Sequence, residues 1–434
     1  MSSKKASVIA SFLTAVVLIV PLAAAPVKAS ETAAVETSGG GPVSSVFVVA
    51  SETQDEVSPA IAYNPHRQEY LVVWFNDRVG CDGIGGQLVS RSGTLRDSVI
   101  PIAAGCGHER HDPDVVFNPD AGQYLVVWQD QGDVAGQRLN ADGQPVGGEI
   151  DIAPYAPPGE AKQPTVAHAA GDGYLVAWSF TGWGSDWHIG AAKIQDDGTV
   201  GSVFRLSEDP GGEAREHPDL AYNPRNNTYL AVWQQPSAGN DSVKGCTLAA
   251  AGPPPSSPPS PFDISPGLGY DYSLPAVAAI RTAGANGQFL VVYEDHSIGK
   301  NISGRLVDGD GTPEPSSFAV GSLFSAGQDS SAPAVAGTGS AGHYLVAWRQ
   351  DYPAGTLGVS SVYARQISTT GDPTGEGGVD LGVAGVGDPS VAGGPLADFL
   401  VAFDAAPLIT LNRDVYGQLW GHRLYLPMTF RSFP

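Results

Sequence analysis

One apolar stretch returns along this chain at regular intervals. Tyr70-Leu71-Val72-Val73-Trp74 is repeated letter for letter at Tyr124-Leu125-Val126-Val127-Trp128. Variants follow at 174–178, 229–233, 289–293, 344–348 and 399–403. The closing aromatics are Trp74, Trp128, Trp178, Trp233, Tyr293, Trp348 and Phe403, spaced 50 to 60 residues apart. A fixed period in this range marks a repeat architecture. The stretches do not alternate apolar with polar, so each predicts a strand covered on both faces by other protein.

Three further strand-like pieces surround each stretch. The first opens on proline, as in Pro59 to Ala62, Pro113 to Val116, Pro218 to Ala221 and Pro389 to Ala392. Proline as the opening residue of a strand removes no ladder bond. The third piece carries a small residue in a fixed place: Gly86, Gly136, Ala191, Gly245, Gly304, Ala364 and Gly417. Such a residue leaves room for a large neighbour, and the expected occupant is the closing aromatic of an adjacent unit. Asp142-Gly143, Asp197-Gly198 and Asp310-Gly311 then predict tight hairpins. The fourth piece is short, as in Val99 to Ala103 or Phe318 to Val320.

Seven repeats of four antiparallel strands predict an all-β fold, a seven-bladed β-propeller over 45–424. The seventh unit has no clear fourth strand after Val415 to Leu419, while Ser45 to Ala50, ahead of the first unit, has the fourth-strand pattern. The N-terminal strand is therefore expected to complete the last blade and close the ring, which removes the exposed edge of an open array.

The chain ahead of the propeller reads differently. Lys4 and Lys5, the apolar run Ala6 to Ala25 and the small residues of Val27-Lys28-Ala29 form a secretory signal peptide over 1–29. The alternative is an uncleaved anchor. Residues 30–44 read as a flexible linker and 425–434 as a C-terminal tail. Asp plus Glu number 45 against 23 Lys plus Arg, giving a net charge of −22. That charge repels phosphate backbones and anionic lipid, so neither nucleic acid nor membrane insertion after cleavage is expected. With 55 Gly and 35 Pro the composition suits strands and turns, not helices. The expectation is a secreted, extracellular or cell-surface monomer.

The Tyr-Leu-Val-Val-Trp strands, followed by Gly86-Gln87, Gly136-Gln137 and Gly417-Gln418, resemble secreted bacterial β-propeller repeat proteins. The resemblance spans the mature chain and implies architecture, not activity. The WD-repeat pairing and the sialidase Asp box are absent from the sequence.

The chemistry expected on this frame lies on the face where inner strands begin. Asp77, Asp130 and Asp295, with Asp351 and Asp404, stand just beyond the repeated aromatics, and Asp388, on the approach to the seventh first strand, is expected to join them on an acidic rim. They read either as caps of their own turns or as part of a Ca²⁺ site. His111 and Asp112 belong to the densest cluster of ligand-type side chains, with His217 at the matching place in unit 4. Trp183, Trp187 and His188 form an aromatic loop outside the repeat pattern, a platform for stacking a sugar or a local cap. Cys81 and Cys106 fall on two loops of one face and predict a disulfide, leaving Cys246 a buried thiol.

Two functional classes follow. The first is a binding or scaffold module for an extracellular glycan, peptide or protein. The alternative is a secreted hydrolase or lyase acting on extracellular polymer, metal-assisted in one version. Paired acidic groups with raised pKa facing the channel would favour the enzyme.

Overall fold

The computed structural model describes residues 41–421 except 53, 155–158, 182–185, 209–213, 238, 268, 281–285, 298, 322–327, 339–341, 353–359, 381–385, 396–397 and 407–411. The signal segment, Trp183 and the C-terminal tail lie outside the described residues. Each repeat folds into one antiparallel sheet. In blade 1 the strands run Asp55–Asn64, Glu69–Asp77, Gly83–Ser90 and Leu95–Ala103, paired in that order. Blades 2 to 6 repeat the arrangement, their first strands being Arg110–Asn118, Ala161–Ala169, Glu216–Asn223, Tyr272–Ile280 and Asp329–Gly337. Blade 7 has Ser390–Gly393, Phe399–Ala405 and Asp414–Gly421. Consecutive first strands contact one another, and that of blade 7 contacts that of blade 1, so they line the centre of a closed ring.

The ring closes as the sequence predicts. Phe47–Ala50 pairs antiparallel with Asp414–Gly421 as the outer strand of blade 7. Pairing starts earlier than expected, inside the stretch read as linker: Gly41 lies opposite Gly421 and Pro42 opposite Trp420.

The repeated strand has two apolar faces because it serves two blade interfaces. Tyr70, Val72 and Trp74 pack on Leu400 and Ala402 of blade 7, whereas Leu71 and Val73 pack on Tyr124, Val126 and Trp128 of blade 2. The same division recurs between blades 2 and 3, 3 and 4, 4 and 5, 5 and 6, and 6 and 7.

Two local expectations need correction. The small residue of the third strand makes room for the fourth strand of its own blade, not for a neighbouring unit's aromatic. A Cβ at Gly86 would lie 2.9 Å from Ile102, one at Gly136 2.9 Å from Ile152, and one at Gly304 2.9 Å from Phe318. The repeated proline, in turn, does not open its strand in blades 1 to 6. Each strand begins two to four residues earlier and slips register across the proline, between Val57 and Ala60, His111 and Asp114, Lys162 and Thr165, Glu216 and Asp219, Ser273 and Ala276, and Ser331 and Ala334. A bulge leaves the proline without a ladder bond to lose, which is the other place a strand tolerates it.

Candidate functional site

The bulges shape one mouth of the central channel. The residue before each proline is left-handed: Ser58, Asp112, Gln163, His217, Leu274 and Ala332 have φ of 46° to 55°. None is glycine, so each conformation costs about 1 kcal/mol or more, and four of the six are held by bonds from the neighbouring blade. Ala332 N donates to Glu294 Oε1 at 3.0 Å, His217 N to Gln163 Oε1 at 3.1 Å and Leu274 N to Gln234 Oε1 at 3.4 Å. The Ser58 N–H is held likewise by the Asp404 carboxyl. Glu294, Gln234 and Asp404 each directly follow the closing aromatic of their blade.

One step deeper stand Asp114, Thr165 and Asp219, on the inner strands of blades 2, 3 and 4. Thr165 Oγ1 lies 3.1 Å from both Asp114 Oδ2 and Asp219 Oδ1. Asp114 Oδ2 accepts the Val166 N–H at 2.8 Å, and Asp219 Oδ2 the Val277 N–H at 2.7 Å. Burial raises both carboxyls. For Asp219 the Val277 N–H opposes this and the Asp114 charge adds to it, leaving it pushed up to about 7. These carboxyls tie blades 2, 3, 4 and 5 together at the channel wall.

Between blades 6, 7 and 1 the same face opens into a polar cleft of about 400 Å³. Its walls carry Arg349 and Asp351 from the second strand of blade 6, Asp388 from the approach to blade 7, and Asp404 and Arg413 from blade 7. Arg413 Nε donates to Asp404 Oδ2 at 2.5 Å. Arg349 Nη1 donates to Asp388, and its Nε lies 3.3 Å from Asp351 Oδ2. The carboxylates differ in setting. The Asp404 side chain is 4% exposed and that of Asp388 61%. Burial raises Asp404 above the ordinary carboxylate range, with Arg413 opposing. Burial also raises Asp112 across the mouth, where His111, His217 and Lys162 oppose and Asp388 adds. The cleft therefore joins a buried acid to exposed carboxylates and two guanidinium groups.

The sequence-predicted residues are distributed unevenly around this mouth. Asp112 and His217 meet there, and the His217 ring is bonded by Gln163 Nε2 at 3.1 Å. Burial lowers the His217 pKa. His111 is half-buried, its ring edge-on to Phe75 at 4.9 Å. Trp187 is half-buried with Lys162 Nζ 4.0 Å above its ring, and Lys162 is paired with Glu216 at 2.7 Å. That indole carries a cation on one face, so the platform is not bare. His188 is buried on the third strand of blade 3 against Arg205.

Asp77, Asp130 and Asp295 are not brought together, since they end the second strands of blades 1, 2 and 5. Asp130 lies 2.9 Å from His108 and 3.2 Å from Arg110, a poor setting for a further cation. Asp295 accepts the Ser297 N–H at 2.9 Å as the cap of its own turn. Among the described residues no group of three or more His, Cys, Asp or Glu is placed to hold a metal ion. Cys81 and Cys106 are disulfide-bonded and Cys246 is a buried free thiol, both as the sequence predicts. Asp351, Asp388 and Asp404 belong to the predicted acidic rim, whereas Arg349 and Arg413 escaped it. Arg349 carries a signal in the repeat itself: it is the one cation directly after a closing aromatic, where the other units have Phe75, Gln129, Ser179, Gln234, Glu294 and Asp404.

No family model matches this sequence, and no curated protein matches it. Among solved structures, an α-L-arabinanase from Penicillium chrysogenum, complexed with arabinobiose, superposes with a TM-score of 0.52 at 13% identity, over 75% of this chain and 98% of that one. A protein of unknown function from Dyadobacter fermentans superposes with a TM-score of 0.48 at 10% identity, over 89% of this chain and 100% of that one. At these identities the likeness is one of propeller fold.

Proposed function

We propose that this protein is a secreted hydrolase of an extracellular carbohydrate polymer and that it acts in the cleft between blades 6, 7 and 1. One observation carries the reading: a buried carboxyl held above the ordinary range, Asp404, shares a polar cleft with the exposed carboxylates Asp388 and Asp351. Two carboxyl groups in unlike environments are the equipment of glycoside hydrolysis. In this mechanism Asp404 gives its proton to the leaving-group oxygen as the glycosidic C–O bond breaks. Asp388 takes a proton from the water whose oxygen bonds to the anomeric carbon. Arg349 and Arg413 hold these carboxylates and offer further donors to sugar hydroxyls. The leader sequence and the Cys81–Cys106 disulfide support export, since disulfides persist in oxidising compartments. The alternative, a non-catalytic binding module, would rest on the Trp187 side of the mouth, where Lys162 already lies on the ring.

The test is release of new reducing ends from a panel of neutral and acidic polysaccharides. Cleavage of at least one is expected, with Asp404→Asn and Asp388→Asn each lowering the rate about a hundredfold or more. Asn at 404 keeps an oxygen for the Ser58 N–H, so the variant should remain folded. Activity should fall as pH rises through the raised Asp404 pKa. Polymer binding without cleavage, unchanged in both variants, would replace this reading with the binding module.

A further inference from the structure

Blade 4 closes its outer hairpin unlike the other blades. In blades 1, 2, 3, 5 and 6 the third strand passes to the fourth through a tight turn. There the N–H of Gly93, Gly143, Gly198, Gly311 or Gly371 bonds back to a carbonyl of the same turn at 2.8 to 3.1 Å. In blade 4 the third strand ends at Ala249 and the fourth begins at Phe262. Between them runs Gly252-Pro253-Pro254-Pro255-Ser256-Ser257-Pro258-Pro259-Ser260-Pro261, which carries no charged side chain. The segment is neither strand nor helix, yet it is stiff. Each proline fixes its own φ and pushes the residue before it into extended backbone. Ser257 and Ser260 are both such residues. The ends are tied down. Ala250 N donates to Asn227 O at 3.0 Å, and Phe262 pairs with Gly245. Lys193 Nζ, from blade 3, donates to Ala250 O and, at 2.8 Å, to Gly252 O. First strands begin on the side of the cleft, and Asn227 lies in the turn that leaves one. The segment therefore stands on the opposite face.

Its side chains divide by type. Pro254, Pro255, Pro258, Pro259 and Pro261 are half-buried, whereas Ser256, Ser257 and Ser260 are exposed. No described residue bonds any of the three hydroxyls. In the tight turns of other blades serine is used at home. Ser90 Oγ accepts the Thr94 N–H at 3.0 Å, and Ser368 Oγ the Asp372 N–H at 3.1 Å. In the blade 4 segment the prolines have no N–H to offer. Free hydroxyls on stiff, extended, uncharged backbone can enter a transferase active site without unfolding the blade. Serine among prolines is also the composition of O-glycosylated segments. A proline-recognising partner fits less well. It would need the prolines outward for its aromatic groove, and here they are the covered side chains.

We propose that Ser256, Ser257 and Ser260 form a site of O-glycosylation. In this step a serine oxygen bonds to the anomeric carbon of a sugar carried on a nucleotide or lipid phosphate. The bond from that carbon to the phosphate oxygen breaks, and the phosphate leaves with the electron pair. The serine proton passes to the base of a host transferase. The proposal rests on export for the meeting of chain and transferase, and not on the hydrolase reading. The test is the intact mass of the full-length protein expressed in its native host, beside the variant Ser256→Ala with Ser257→Ala and Ser260→Ala. The wild-type mass should exceed that of the polypeptide by whole sugar residues, and mild alkali should release them by β-elimination. The variant should lose the excess and keep both its thermal melt and its cleavage of polymer. Should the variant fail to fold, the mass of the wild-type tryptic peptide 245–281 decides the same question. A wild-type mass equal to the bare polypeptide, an excess kept in the variant or absent from that peptide, or phosphate in place of sugar would overturn the proposal.

Discussion

Phe47 lies opposite Gly417, and its ring stands 2.9 Å from where a Cβ at position 417 would be. The two residues come from opposite ends of the propeller, so this contact is a latch between the first strand and the last blade. Arg91 reinforces the closure, its Nε donating to Asp398 Oδ2 at 2.6 Å. Phe47→Ala should therefore lower stability by about 3 kcal/mol. The loss should appear as a shift of one cooperative urea transition. A separate early transition confined to blade 7 would contradict a closed ring.

The Asp114–Thr165–Asp219 belt predicts a pH dependence. Asp219 is raised from its ordinary 3.8 to about 7, so over that window the folded state binds a proton that the unfolded chain has released. The stabilisation is fully present below 3.8 and is lost as pH rises through 7. Glu56, raised by burial to about 7 against the Glu52 N–H, acts in the same sense. The urea midpoint should fall between pH 5 and pH 8. Asp219→Asn should remove a clear part of that slope, and equal slopes in wild type and variant would refute the assignment.

The Cys81–Cys106 disulfide closes a loop with a sequence separation of 25. Opening it by Cys81→Ser with Cys106→Ser should cost about 3 kcal/mol. Thiol counting on denatured, unreduced protein should find one group, and three after reduction. In the native state Cys246 should resist alkylation, since burial pushes its thiol up to about 12.

The left-handed bulges make an opposite-signed prediction. Ala332 has φ of 49°, a conformation that glycine adopts without steric penalty. Ala332→Gly should raise stability by about 0.5 kcal/mol, net of the extra entropy of the unfolded chain. Ala334→Gly, two residues on in ordinary strand backbone, should lower it by about 0.5 to 1 kcal/mol. A loss of similar size at both sites would show that the bulge is not strained.

The sequence alone determined the blade count, the strand order within a blade, the closing strand and the disulfide. These follow from local pattern: a two-faced apolar strand recurring at a fixed period has to be covered on both sides, and only a ring of like units covers all of them. It also placed Asp351, Asp388 and Asp404 on the right face. It did not separate them from Asp77, Asp130 and Asp295, because all six are carboxylates beside a strand end, five of them just beyond a repeated aromatic. Tertiary structure made that distinction by burial and by partners from other blades. Asp404 is enclosed beside Arg413 and acquires a raised pKa, while Asp130 is taken up by His108 and Arg110. The inner prolines and the third-strand glycines were misread for the same reason. Whether a residue sits at a bulge, or which side chain enters the space it leaves, depends on the register of the strand beside it.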